Sequence, residues 1–153
     1  MKVDGKHYRT IWIKEGNTEV IQIIDQRSLP HRFVIEDLTN TDECANAIKE
    51  MHVRGAGLIG AVAGFGMYLG TLECRKKGSL ESLNRSLFAI GEKLKSTRPT
   101  AVNLQWAVDR VLNKVKKLKT SEERIQIAFE EAGQIADADA SFCQRIGEHG
   151  VEV

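Results

Sequence analysis

Residues 57–74 read GLIGAVAGFGMYLGTLEC, and the fold turns on how that stretch is interpreted. The segment from Leu58 to Leu72 is apolar around nearly every side and falls short of the roughly 20 residues that span a bilayer. It is therefore expected to be a buried helix at the centre of a fold. Gly60, Gly64, Gly66 and Gly70 each cost about 1 kcal/mol in helix propensity relative to Ala, so neighbouring elements are expected to lie tightly against this helix.

On the C-terminal side, Ser79 follows Gly78, and Leu80, Leu83, Leu87, Ile90 and Leu94 make one helical stripe. Ser96-Thr97-Arg98-Pro99 ends that helix. Pro99 suits the first turn of the next, whose stripe is Leu104, Ala107, Val108, Val111, Leu112, Val115 and Leu118. Lys114, Lys116, Lys117 and Lys119 crowd its end without interleaved aromatics, as a solvated face favoured by the helix dipole would. Thr120 with Glu123 forms a capping box that opens a last helix running toward Ile146. Gly147 marks its end, before the start of a possible strand at Val151-Glu152-Val153.

On the N-terminal side, Asn40 with Glu43 gives a similar start to a helix from Thr41 to His52, with Cys44, Ala47, Ile48 and Met51 on one side. Before it the period changes to two. Tyr8–Ile13 and Thr18–Ile24 flank the turn signal Glu15-Gly16-Asn17 and predict a β-hairpin, to which Arg32–Ile35 adds a third strand after Pro30. Strands first and helices after define an α+β fold, with 1–37 mostly strands and 40–149 helical.

The chain has 153 residues, 42% hydrophobic and 28% charged, and a formal net charge of +1. That length supports one domain with its own core. The near-zero charge supplies no field that would draw the chain to nucleic acid or an anionic membrane. Three cysteines, Cys44, Cys74 and Cys143, without a CxxC pair give neither a disulfide framework nor a zinc site. Cys44, Cys74 and Cys143 are all expected as buried, inert thiols. The opening Met1-Lys2-Val3-Asp4-Gly5 lacks a secretory pattern, so the expectation is reduced thiols and a cytoplasmic address.

Two segments could carry chemistry. Arg54-Gly55-Ala56-Gly57-Leu58-Ile59-Gly60 matches G-x-G-x-x-G, but the segment before it reads as helix rather than strand, which argues against a dinucleotide site. Glycines ahead of a helix still expose backbone N–H groups at the positive end of a dipole, where phosphate is favoured, and Arg54 would add a charged fork. The alternative is a tight turn with Arg54 capping the carbonyls before it. In the second segment, Arg98 stands at an expected helix start, where a cation opposes the dipole unless an anion shares the site. The alternative there is an exposed arginine beside a Ser96 or Thr97 cap. His7, His31, His52 and His149 lack metal-ligand spacing, so no metal is implied. Asp25-Gln26 at a strand end is either a binding pair or a turn-forming Asp.

Thr10-Ile11-Trp12, Ile24-Asp25-Gln26 with Leu29-Pro30, Val53-Arg54-Gly55-Ala56 with Ile59-Gly60, Arg98–Leu104, and Ile146-Gly147-Glu148-His149-Gly150 resemble successive motifs of the methylthioribose-1-phosphate isomerase family. The wider group includes ribose-1,5-bisphosphate isomerase and translation initiation factor 2B regulatory subunits. Trp12 and Asp25-Gln26 look more like the isomerase branch.

The resemblance implies a methionine-salvage enzyme that converts 5-methylthioribose 1-phosphate to the ketose without metal or organic cofactor. It implies that Arg54, Gly55 and Ala56 bind this sugar-1-phosphate substrate and that Arg98 holds the same phosphate. It also implies a homodimer. The family's catalytic cysteine and aspartate lie beyond the Glu-His-Gly segment, so no catalytic residue is expected among these 153. The resemblance covers about the N-terminal half of the family protein, the remainder being a Rossmann-like C-terminal domain, and the chain alone is expected to be inactive. A non-catalytic module related to the initiation-factor subunits, binding a sugar phosphate or a protein, is the competing expectation. One departure is local: the family reads Arg-Gly-Ala-Pro, whereas Gly57 stands here in place of the proline.

Overall fold

The computed structural model describes residues 2–75 and 79–151. Among the described residues, five helices follow five short strands: β1 Lys2–Val3, β2 Lys6–His7, β3 Ile11–Lys14, β4 Asn17–Ile24, β5 Ile35–Leu38, α1 Thr41–Lys49, α2 Ala56–Glu73, α3 Leu80–Thr97, α4 Val102–Val115 and α5 Ser121–Gly150. β1 pairs with β2, and the antiparallel sheet β3-β4-β5 packs beside the helices, as an α+β fold requires.

α2 is the hub. By length and composition it would pass for a membrane span, yet 78% of it is buried inside the protein, between α1, α3, α4 and α5. Leu58, Val62, Phe65 and Leu69 are all buried there, each stabilising the fold by about 1.5–3 kcal/mol through burial. Its glycines serve close approach, as the sequence suggests. A Cβ on Gly66 would stand 3.1 Å from Leu94 of α3 and 3.2 Å from Cys44 of α1. Ile11, Ile21, Ile23 and Leu38 close the core from the sheet side. Across the sheet, Trp12 Nε1 donates to Gln22 and Gln22 donates to Asp37, so one polar ladder ties β3, β4 and β5.

Several boundaries differ from the sequence expectation. The third strand is 35–38, not 32–35, because pairing Ile24 with Ile35 and Ile21 with Leu38 sends Leu38 into the core. The β1-β2 hairpin was legible but unread: Asp4-Gly5 takes positive φ at both residues, the turn that Asp-Gly favours. α1 stops at Lys49, and Met51 (φ 59) turns the chain away before His52.

α4 begins at Val102 rather than Pro99. Arg98, being the residue before a proline, is extended (φ −147, ψ 83) and closes α3 instead of opening α4. α5 runs through Gly147 to Gly150, thirty residues in all, since a long helix accommodates a glycine for about 1 kcal/mol. From Ser141 to Val151 this helix has left the core and is exposed, which overturns the expectation of a buried Cys143. Cys44 and Cys74 are buried as expected, and burial pushes the Cys44 thiol far above its usual pKa. Gly78, Glu152 and Val153, named above in a helix start and a possible strand, lie outside the described residues.

Candidate functional site

Three helices start on a side-chain cap and two do not. Asn40, Ser79 and Thr120 accept hydrogen bonds from the first turns of α1, α3 and α5, and Thr120 with Glu123 completes the capping box expected there. α2 begins on Gly55 and α4 on Ala101, neither of which caps through a side chain. Gly55 holds φ 94, a conformation that favours glycine, and it lets the chain enter α2 directly after Arg54.

The two uncapped ends meet. A Cβ on Gly60 would stand 3.1 Å from the Asn103 carbonyl oxygen. Gly57 and Gly60 of α2, Val102, Asn103 and Trp106 of α4, and Ile135, Ala138, Asp139 and Phe142 of α5 line one half-open cavity of about 350 Å³. Unsatisfied first-turn N–H groups and the positive ends of two dipoles make this end of the bundle favourable to an anion.

The residues singled out from sequence fall around it unevenly. Gly55 and Ala56 form the start of α2, and Arg54 lies exposed in the loop just before. Arg98 is partly exposed at the end of α3, three residues ahead of Ala101, whose N–H donates to the Arg98 carbonyl oxygen. Neither arginine side chain lines the cavity, and among the described residues neither has a hydrogen-bond or ion-pair partner. The α3 terminus accounts for part of the suspicion attached to Arg98, because a cation is favoured at that C-terminal end.

The loop that carries Arg54 is held from the sheet. Gln26 N–H donates to the His52 carbonyl oxygen at 2.8 Å, and His52 N–H donates to Ala47. His52 is buried, with Nδ1 2.7 Å from Glu36 Oε2. Asp25 takes the turn-forming role: Oδ1 accepts the Arg27 backbone N–H and Nε, and Oδ2 accepts Nη2. The Arg27 side chain holds the Asp25 carboxyl below its usual pKa.

Asp25, Glu36 and His52 offer ligand atoms within 4.8 Å of one another, which sequence spacing missed. The guanidinium on both oxygens of Asp25 opposes a cation there, and Glu36 already occupies His52. Their present work is to fix the segment that leads into Arg54.

Sequence reasoning also missed Trp106, Asp139 and Phe142. Asp139 carried a signal: it falls on the helical stripe of Ala128, Ala132 and Ile135, where an apolar residue would be expected. Trp106 and Phe142 are 50% and 56% exposed, and Ile146 continues the same side of α5 at 72%.

The comparisons with known proteins agree with one another. The model of the Initiation factor 2 subunit family matches residues 52–153. A curated methylthioribose-1-phosphate isomerase from Methylocella silvestris is 46% identical over 100% of this chain and 39% of its own length. Among solved structures, 5-methylthioribose 1-phosphate isomerase from Pyrococcus horikoshii OT3 superposes with a TM-score of 0.86 at 39% identity, over 97% of this chain and 41% of that one. The delta subunit of translation initiation factor eIF-2B from A. fulgidus gives 0.79 at 34% identity, over 88% and 38%. The chain thus spans about two fifths of the length of the curated relatives it matches.

Proposed function

The chain belongs to the Initiation factor 2 subunit family, and from that premise we propose that it is the phosphate-binding part of an aldose–ketose isomerase acting on 5-methylthioribose 1-phosphate. The observation that carries this reading is the meeting of the two uncapped helix starts, α2 and α4, at one cavity, with Arg54 and Arg98 unpaired beside them. A helix N-terminus offers N–H donors but only about half a charge, so guanidinium groups are needed to hold a dianion firmly. Arg54, Gly55 and Ala56 receive the phosphate in this reading, and Arg98 closes on it from the end of α3.

Because the phosphate sits on the anomeric oxygen, the sugar lacks the free hemiacetal through which most aldoses open. The reaction then depends on placed proton donors and acceptors and on excluding water. The resemblance assigns those groups to a later domain, so these residues bind and orient the substrate and the chain alone is inactive. In this reading the complete protein is a cytoplasmic homodimer in methionine salvage, without metal or organic cofactor, and it engages neither nucleic acid nor membrane. The net charge of +1 supports the last point.

A second reading, a non-catalytic binding module, draws on the likeness to the initiation-factor subunit. Turnover assays on the protein at its natural length separate the two. Conversion of 5-methylthioribose 1-phosphate to the ketose phosphate, lost on Arg54→Ala, is the expected result. Binding of the sugar phosphate without turnover would favour the module, and no binding would refute the isomerase and leave only a protein-binding module.

A further inference from the structure

The loop between α1 and α2 is bracketed by two left-handed residues, Met51 (φ 59) and Gly55 (φ 94). Glycine adopts that conformation freely, whereas methionine rarely does, so the surroundings of residues 52–54 must hold the backbone there. Two buried side chains provide the hold. Val53 is sealed in the core, and His52 reaches Glu36 of β5, with Nδ1 2.7 Å from Oε2. An ionised carboxylate only accepts, so Nδ1 carries the proton and donates. Asp25 lies within 4.8 Å of the same atoms, but Arg27 holds both of its oxygens, which leaves Glu36 as the partner of the imidazole. The backbone of His52 is tied on both sides as well, its N–H donating to Ala47 of α1 and its carbonyl oxygen accepting from Gln26. Arg54, two residues on, is exposed and has no hydrogen-bond or ion-pair partner among the described residues, so its direction is set by this backbone alone.

We propose that His52, anchored on Glu36, is a positioning residue that fixes the direction in which Arg54 meets the substrate phosphate. A guanidinium pairs with phosphate through two directional hydrogen bonds, so an arginine whose root has shifted loses the contact although its charge is unchanged. Cutting the bond from His52 to Glu36 leaves Val53 in the core and frees the loop from β5. Glu36 is partly exposed and is then solvated, so the loss falls on the loop rather than on the fold. This inference rests on the isomerase reading and deepens it by naming a residue that acts on the phosphate without touching it.

The test uses the protein at its natural length and 5-methylthioribose 1-phosphate, with affinity read by calorimetry well below the melting temperature of every variant. His52→Ala is expected to weaken binding by about tenfold, the worth of one charge-assisted contact. Glu36→Ala removes the same bond from a side chain that is 30% exposed, and should give the same loss where His52→Ala folds poorly. His52→Asn, which keeps an N–H near the place of Nδ1, should recover most of the affinity. In an Arg54→Ala background, His52→Ala should cost nothing further, because the group it positions is gone, whereas a merely structural role would add a second loss. Parent affinity in both single variants, or losses at His52 and Arg54 that multiply to about a hundredfold, would overturn the positioning role and leave the isomerase reading standing. Absence of binding by the parent protein would overturn both.

Discussion

The middle of α2 and its N-terminal end are built on opposite terms. Around the middle, buried charge is matched. Glu131 takes Arg110 and Lys114, and Arg124 donates to the Leu118 carbonyl oxygen and to Asn84. No buried side-chain nitrogen or oxygen among the described residues lacks a partner. At the N-terminal end, Arg54, Arg98 and Asp139 are all unmatched, two helices start without caps, and Trp106, Phe142 and Ile146 stay exposed. The buried polar groups are satisfied within the fold, whereas the polar groups of this end face solvent, where a ligand can reach them. Under the proposed function, the difference separates residues that stabilise the fold from residues that engage the substrate.

The comparison breaks most visibly if a residue of the packed middle tolerates change. Gly66→Leu forces a branched side chain between Leu94 and Cys44, and should destabilise the protein by about 3 kcal/mol, read as a lower denaturation midpoint. A smaller loss, about 1–2 kcal/mol, is expected for Glu131→Gln, which removes charge from two short hydrogen bonds.

The same carboxylate gives a pH signature. Burial raises the Glu131 pKa, but hydrogen bonds from Lys114 and Arg110 outweigh it and the net shift is downward. Its folded pKa therefore lies below its unfolded value. The contribution is complete above that value and is lost as pH falls through the folded one. Acid titration of the melting temperature should show this loss in the parent protein and a shallower one in Glu131→Gln. The smallest effect belongs to the exposed side: Ile146→Ser should change stability by no more than about 0.5 kcal/mol, measured by thermal unfolding of the 153-residue chain.

The same division explains what could be read from the sequence. α2 was legible because a segment apolar on all sides has no stable place except a core, and α5 because Thr120 and Glu123 announce its start. The helix start after Arg54 and Gly55 was legible because glycines ahead of an apolar run mark a tight entry into a helix. The Pro99 boundary was misread because the constraint that proline places on Arg98 outweighed its aptitude for a first helical turn. Trp106 was out of reach and Asp139 showed only as an acid on an apolar stripe, because they join Gly57 at one cavity only after α4 and α5 have packed on α2. A site assembled across long sequence separations leaves residue types in the sequence but not their neighbours.

The most direct measurement is calorimetric titration of the protein at its natural length with 5-methylthioribose 1-phosphate, beside an Arg54→Ala/Arg98→Ala double variant of unchanged melting temperature. Two lost charge-assisted phosphate contacts should weaken binding by about a hundredfold or more. Retention of the parent affinity by the double variant would contradict the assignment of this end of the bundle as the phosphate site.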